Sequence, residues 1–285
     1  MSLDRDVTGR ERLLGLADQY LDALVAHDPG GLPLAPDVKL TEDSQRLAVG
    51  EGLMGTITEV SPNGRRFADP ASGQVGLWTA ITELAGPAML ALRLKVSGDQ
   101  INEIETLVIR GGGALFAPER LTTPEPAYSE VLDPTDRPSH DELIQAANHY
   151  FDGIEQNNGK LIPVAPDCVR IENGIQTTLN SPDPERDEQM PGRTMGVADQ
   201  ISAGYFTYIE AITDRRISVV DEERGLCLCH IRFDHPGNIT TAAGRIPLGY
   251  PCSLLAAEVF KVSGGLIRHV EAVGRMFPYR MASGW

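Results

Sequence analysis

Apolar residues recur at helical spacing near the start of the chain: Leu13, Leu14, Leu16, Ala17, Tyr20, Leu21, Leu24 and Val25. That i, i+3, i+4 rhythm predicts an amphipathic helix. Leu143, Ile144, Ala147, Tyr150, Phe151 and Ile154 repeat it, with Ser139 and Glu142 spaced as a capping box at its start. Both helices run out into polar or glycine-containing turns, 27–31 and 156–159, and short strands are expected at 38–41 and 169–172. Farther on the period changes from 3.6 to two. Over 88–96, Ala, Leu, Leu, Leu and Val alternate with Met, Ala, Arg and Lys, which predicts a strand. Ser97-Gly98-Asp99-Gln100 turns it into a returning strand at 101–109. The segments 254–262 and 267–273, joined at Ser263-Gly264-Gly265, form the same hairpin again. A leading helix followed by a meander of strands predicts an α+β fold, with a curved, mostly antiparallel sheet wrapped around N-terminal helices.

The duplication extends to residue identity. Ala17-Asp18-Gln19-Tyr20-Leu21-Asp22 returns 130 residues later as Ala147-Asn148-His149-Tyr150-Phe151-Asp152, and Leu32-Pro33-Leu34-Ala35-Pro36-Asp37 as Ile162-Pro163-Val164-Ala165-Pro166-Asp167. Glu42-Asp43 returns as Glu172-Asn173. At larger offsets Arg65-Arg66, Asp69 and Gly73 parallel Arg215-Arg216, Asp221 and Gly225, and Lys95-Val96-Ser97-Gly98 parallels Lys261-Val262-Ser263-Gly264. A period this long belongs to whole domains with their own cores, not to a solenoid. The expected organisation is a first domain at 1–113, a proline-rich linker at 114–138 and a second domain at 139–285. Two segments inside the second copy, 180–193 and 235–251, read as long loops of the kind that act as lids.

Composition narrows the partners. A net charge of −15 over 285 residues argues against nucleic acid and against an anionic membrane surface. The chain shows neither a spanning apolar run nor the layout of a secretory signal, so a cytoplasmic protein is expected. Cys168, Cys227, Cys229 and Cys252 read as reduced structural thiols, and their spacing completes no zinc site. Neither a metal nor a cofactor is expected, and a homo-oligomer is allowed.

Candidate chemistry concentrates in the second copy. On the predicted strand 226–234, His230, Arg232 and Asp234 share one face, a row suited to moving a proton unless it simply faces solvent. The repeat places Trp78 opposite His230, so the halves differ. Glu258 is the one charge on the apolar face of its strand, where the first copy has Leu92. A carboxyl so placed has a raised pKa, as a general acid or base needs, unless an arginine pairs with it across the domain contact. Tyr208 and Tyr205 are positioned to offer a phenol to an oxyanion or leaving group. Tyr150 lies on a core-facing helix position, and His235 and Tyr250 bound the long loop. His269 and Glu271, mirrored by Glu103 and Glu105, point to solvent or to the inter-domain contact.

A helix with tyrosine in its third turn, a Pro-Asp entry into a strand bearing Glu-Asp or Glu-Asn, and a final hairpin reading Val-Ser-Gly, Ile, Val-Glu resemble the SnoaL-like, nuclear-transport-factor-2-like superfamily, here in tandem. The resemblance implies a cone-shaped domain with an apolar pocket, which enzyme members furnish with acid–base side chains and no cofactor. Thr41-Glu42-Asp43 and Gly50-Glu51-Gly52-Leu53 are similar to the branch of cofactor-free lyases that release formaldehyde from diarylpropanes. The expectation is therefore a cofactor-independent lyase, dehydratase or isomerase acting on a small aromatic or polyketide-like molecule. Its catalytic candidates are His230, Glu258, Tyr208, Arg232 and Asp234, and its substrate-binding candidates are Tyr205, Tyr150, Trp78, His235 and Tyr250. The alternative is a non-catalytic binding or scaffolding protein of the same fold.

Overall fold

The computed structural model describes residues 9–111, 115–241, 244 and 247–285. The first half opens with helix α1 (Gly9–Ala26) and builds a sheet from β1 (Leu34–Glu42), β2 (Gln45–Leu47), β3 (Ile57–Val60), β4 (Arg65–Asp69), β5 (Gln74–Glu83), β6 (Gly86–Ser97) and β7 (Gln100–Arg110). Its order is β2-β1-β7-β6-β5-β3, with β4 also on β5, and only β1–β7 pair in parallel. After a short α2 (Pro126–Ser129), the second half repeats the plan. Helix α3 (His140–Glu155) and β8 (Val164–Glu172) lead, followed by β9 (Ile175–Gln176), α4 (Pro184–Gln189), α5 (Val197–Ser202), β10 (Ala211–Asp221), β11 (Leu226–His235), β12 (Cys252–Ser263) and β13 (Leu266–Pro278). That sheet runs β10-β11-β12-β13-β8-β9, again with one parallel pair, β13–β8. Each half thus leads with a helix and follows it with a mostly antiparallel sheet.

Local chemistry explains the shared motifs. The capping box on α3 is formed as its spacing predicts: Ser139 accepts from the Glu142 amide and Glu142 reaches back to the Ser139 amide. Asp43 and Asn173 both follow the first strand of their half with positive φ, 51° and 46°, a conformation short Asx side chains tolerate. Asp43 accepts the Val108 amide at 2.9 Å, and Asn173 accepts the Gly274 amide at 2.8 Å. The Asx residue after the first strand therefore pins it to the last strand in both copies.

Three cores result. One lies between α1 and the inner face of the first sheet, and one between α3 and the inner face of the second. The third joins the outer faces of the two sheets back to back, around Phe67, Trp78, Met89, Leu107, Tyr128, Leu228 and Val259. The outer residues of β6 and β11 are consequently buried on both sides, and neither strand has the solvent face that alternation alone allows. The segment expected as a plain linker packs in the same layer through Leu121 and Tyr128. The expected loop at 180–193 carries α4.

The seam is closed by reciprocal ion pairs. Arg65 of the first half holds Glu271 of the second at 3.1 Å, with side-chain exposures of 1% and 0%. Arg216 of the second half holds Glu105 of the first at 3.1 Å, and Arg93 joins it at 2.7 Å. Glu105 and Glu271 are equivalent in the repeat, so each half gives the other an arginine and takes one back. This is the i-to-j, j-to-i pattern of a two-fold interface, here within one chain.

Candidate active site in the second half

Hydrogen-bond register fixes the inner face of the second sheet. Cys229 pairs with Glu258, Glu258 with Ala272, and Ala272 with Glu172, which sets four residues in one row across β11, β12, β13 and β8. Two carboxylates therefore share the face two strands apart, about 10 Å, with an alanine between them. One row deeper are Cys227, Phe260, Val270 and Arg170. The corresponding row of the first half reads Leu77, Leu92, Thr106 and Glu42, and Leu40 stands where the second half has Arg170. The first interior keeps a carboxyl at Glu42, whose pKa burial raises, but has leucines where the second carries Glu258 and Arg170.

Arg170, 2% exposed, is held from several sides. Its guanidinium donates to Thr177 Oγ1 at 3.1 Å and to Gln200 Oε1, approaches the Tyr150 hydroxyl at 3.5 Å and Glu172 at 3.6 Å, and lies over the Phe206 ring at 4.7 Å. Gln200 is itself fixed by donating to the Thr177 and Gly192 carbonyls. Glu258, 3% exposed, stands across from this group. Burial and then the neighbouring Glu172 charge push its pKa up to about 8, against the opposing pull of Arg170 and a hydrogen bond from Tyr150. Burial also raises Tyr150, with Glu258 adding to it, and raises Tyr208 to about 12. The row is not sealed: the Glu172 side chain is 33% exposed, and inward-facing Phe206, Tyr208, Leu254 and Ala272 are only half-buried.

Of the residues expected from sequence, Glu258, Tyr150 and Tyr208 meet here. His235 also faces inward, at the far end of β11, with its ring 5.1 Å from that of Tyr208. Burial depresses its pKa, while a hydrogen bond to the Tyr208 carbonyl opposes the shift. Tyr205 packs against Gly192, outside the row. Tyr250 is 58% exposed, and residues 242–243 and 245–246 of its loop lie outside the described residues. The remaining candidates are elsewhere. His230, Arg232, Asp234 and Trp78 all sit on outer faces. Trp78 lies in the seam and His230 meets its first-half side, while Arg232 and Asp234 are held by Asp214, Ser253 and the segment 280–281. His230 is hydrogen-bonded to Ser218 Oγ at 2.9 Å and lies 4.0 Å from Glu105. Burial brings its pKa down to about 4, against the pull of Glu105. Arg232 binds Asp234 at 3.0 Å and Asp214 at 2.8 Å, and Asp234 also accepts from Ser253 at 2.6 Å. Trp78 is fully buried against Phe67. Arg170, Glu172, Gln200 and Thr177 were not among the expected residues. The signal for Arg170 is present at the repeat offset, as a charge replacing Leu40.

The family model described as a domain of unknown function, DUF8021, matches residues 6–108 and 136–274, one stretch in each half. The chain belongs to this family. No curated protein matches it. Solved structures similar to it include a de novo designed protein with a curved β-sheet (10% identity, TM-score 0.33, covering 48% of this chain and 88% of that one). A candidate isomerase from Bacillus subtilis (14%, 0.33, 47% and 87%) and a candidate polyketide cyclase from Silicibacter sp. TM1040 (14%, 0.31, 47% and 90%) are others. Likeness at this level carries nothing about the reaction, which has to be read from the side chains.

In this DUF8021 protein the four thiols are free and buried, and burial raises Cys168 to about 12 and Cys229 well above its ordinary value. Cys168 and Cys229 are therefore poor nucleophiles and poor metal ligands. His230 and His235 lie on opposite faces of β11, so they do not share a ligand. Among the described residues no cluster of three His, Cys, Asp or Glu is placed to hold a metal ion. What the second interior does offer is a protonated carboxyl, a fixed cation with a phenol beside it, and a second carboxylate open to water.

Proposed function

We propose that the second half is a cofactor-independent acid–base enzyme acting on a small, largely apolar molecule, and that the first half is its scaffold. The observation that carries this reading is the buried Glu258, protonated at neutral pH, facing Arg170 and Tyr150 in a row that opens at Ala272 and Glu172. A fully buried carboxyl and a second one partly open to water suit opposite roles. Glu258 donates its proton to a departing hydroxyl, and Glu172, at the wet end, accepts one from the substrate. Arg170 and Tyr150 stabilise negative charge on a substrate oxygen, and the low-dielectric surroundings strengthen that help. The half-buried rings of Phe206 and Tyr208, stacked 6.3 Å apart, suit a planar apolar substrate.

The finer reading is loss of formaldehyde from a 1,2-diarylpropane-1,3-diol. The primary hydroxyl gives its proton to Glu172, and the carbon–carbon bond breaks to release formaldehyde. The freed electron pair forms the alkene as the benzylic hydroxyl leaves as water with the proton of Glu258. A stilbene, formaldehyde and water balance the diol. The test is to incubate the protein with such diols and with polyketide-like hydroxyketones, following stilbene absorbance, formaldehyde or dehydration. Turnover is expected with at least one class, and Glu258→Gln should reduce it by on the order of 10²–10⁴. A Glu258→Gln variant working at the wild-type rate overturns the assignment.

The non-catalytic reading has one observation in its favour: Thr177, Gln200, Tyr150 and Glu172 already surround the Arg170 guanidinium. It predicts ligand binding without turnover in every class, and binding that survives Glu258→Gln.

A further inference from the structure

Residues 279–285 leave β13 on the second half and cross onto the first. The segment is tied on both sides. The Arg280 amide donates to Ser253 Oγ at 2.8 Å and Arg232 donates to the Met281 carbonyl at 3.1 Å, both on the second half. On the first half, the Gly284 amide donates to Ser44 Oγ at 3.0 Å and the Trp285 indole N–H to Thr41 Oγ1 at 2.9 Å. Three cations surround the Trp285 ring: Lys39 Nζ at 3.8 Å from its centroid, the Arg93 guanidinium at 4.7 Å and that of Arg216 at 5.3 Å. Two of these come from the first half and one from the second. Beneath Ser283 a cavity of about 40 Å³, lined in part by Ser44, Glu105, Arg216 and His230, has room for a water.

The other side of the seam has a parallel. Tyr128, in the segment that follows β7, covers Arg65 at 5.4 Å just as Trp285, in the segment that follows β13, covers Arg216. Tyr128 is buried in the seam core, whereas Trp285 stays half-buried. One aromatic cover is built into the core. The other rests on a short segment held by those hydrogen bonds, by Tyr279 and Arg280 on Glu210 and Arg280 on Asp234, by Gln45 on Met281, and by the cations around Trp285.

We propose that Lys39, Thr41, Arg93 and Arg216 form a binding site for a planar aromatic ring bearing an N–H donor, and that residues 279–285 are a displaceable clasp whose Trp285 is the occupant from within the chain. The cations recognise the face of the ring, Thr41 recognises its N–H, and filling the site ties the two halves together. The site lies on the outer faces of the sheets, apart from Glu258 and Arg170.

The test uses the full chain with Trp285→Ala and 3-methylindole, the free form of the tryptophan side chain. Trp285→Ala should melt about 2–8 °C below wild type. Millimolar 3-methylindole should recover part of that loss, leave wild type unmoved, and recover less in Lys39→Ala/Trp285→Ala. An unchanged melting point in Trp285→Ala, no response to 3-methylindole, or an equal rise in wild type overturns the proposal. Gly284→Ala tests it while keeping the ring, because a Cβ there would stand 2.4 Å from the Ser44 carbonyl oxygen. The chain has two tryptophans and Trp78 is fully buried, so a red shift in emission reports release of Trp285. Unshifted emission in a folded Gly284→Ala protein counts against the clasp.

Discussion

Glu258 differs from a surface glutamate only in what surrounds it, and that difference sets how stability depends on pH. Its pKa is raised from 4.5 to about 8 in the folded chain. Between those values the native state binds a proton that the unfolded state has released, so stability falls as pH rises. The contribution is fully present below about 4.5 and is lost by about 8, at up to about 1.4 kcal/mol for each pH unit crossed. Glu258→Gln removes the titration. The melting temperature of Glu258→Gln minus that of wild type should therefore climb steadily from pH 4.5 to pH 8 and then level. A difference that stays flat across that window would place Glu258 in an ordinary, hydrated setting. Seam groups act in the other direction. Burial opposes the charge of Glu105, but protonated His230, Arg216 and Arg93 outweigh it and hold its pKa at about 2, while His230 is lowered to about 4. Both contributions are lost as pH falls, through 4.5 toward 2 for Glu105 and through 6.5 toward 4 for His230.

At the scale of elements, alternation determines which residues share a face, and packing decides what that face meets. His230, Arg232 and Asp234 do lie on one side of β11, as the period of two requires. Nothing in a single strand's pattern shows that His230 meets Glu105 of the other half, or that Asp214, Ser253 and the segment 280–281 hold Arg232 and Asp234. The inner face was more legible. Glu258 stands out because all its same-face neighbours are apolar, and Leu92 in the first copy marks the contrast. Arg170 carries the same signal against Leu40, but its neighbours on β8 are irregular and no period drew attention to it. Gln200 and Thr177 belong to segments whose position depends on the tertiary fold alone. The back-to-back packing makes its own prediction at Gly76 on β5, where a Cβ would lie 2.5 Å from Leu228 Cδ2 of the opposing sheet. Gly76→Val should destabilise the protein by about 1–3 kcal/mol through overpacking, measured by chemical denaturation. A neutral substitution there would mean that the sheets are not in contact.

The whole molecule is one chain behaving as a pair of related domains. Duplication of the helix, the Asx turn and the final hairpin was readable from residue identities, because each fixes a local hydrogen-bond pattern that both copies need. The seam was not readable, because its ion pairs join positions such as Arg65 and Glu271 that only the folded pair brings together. Once the two halves share outer faces, their inner faces are free to diverge. The first has leucines where the second has Arg170 and Glu258, which stabilises, and the second carries charge where an apolar core would be more stable. Among the described residues no helix is long and apolar enough to cross a membrane. The account rests on Glu258 holding a proton at neutral pH inside the second half. Carbon-13 NMR of the side-chain carboxyl carbons of glutamate-labelled protein measures this directly, with the Glu258 signal assigned by its loss in Glu258→Gln. The account predicts a midpoint near pH 8 for that signal, and a midpoint near 4.5 would contradict it.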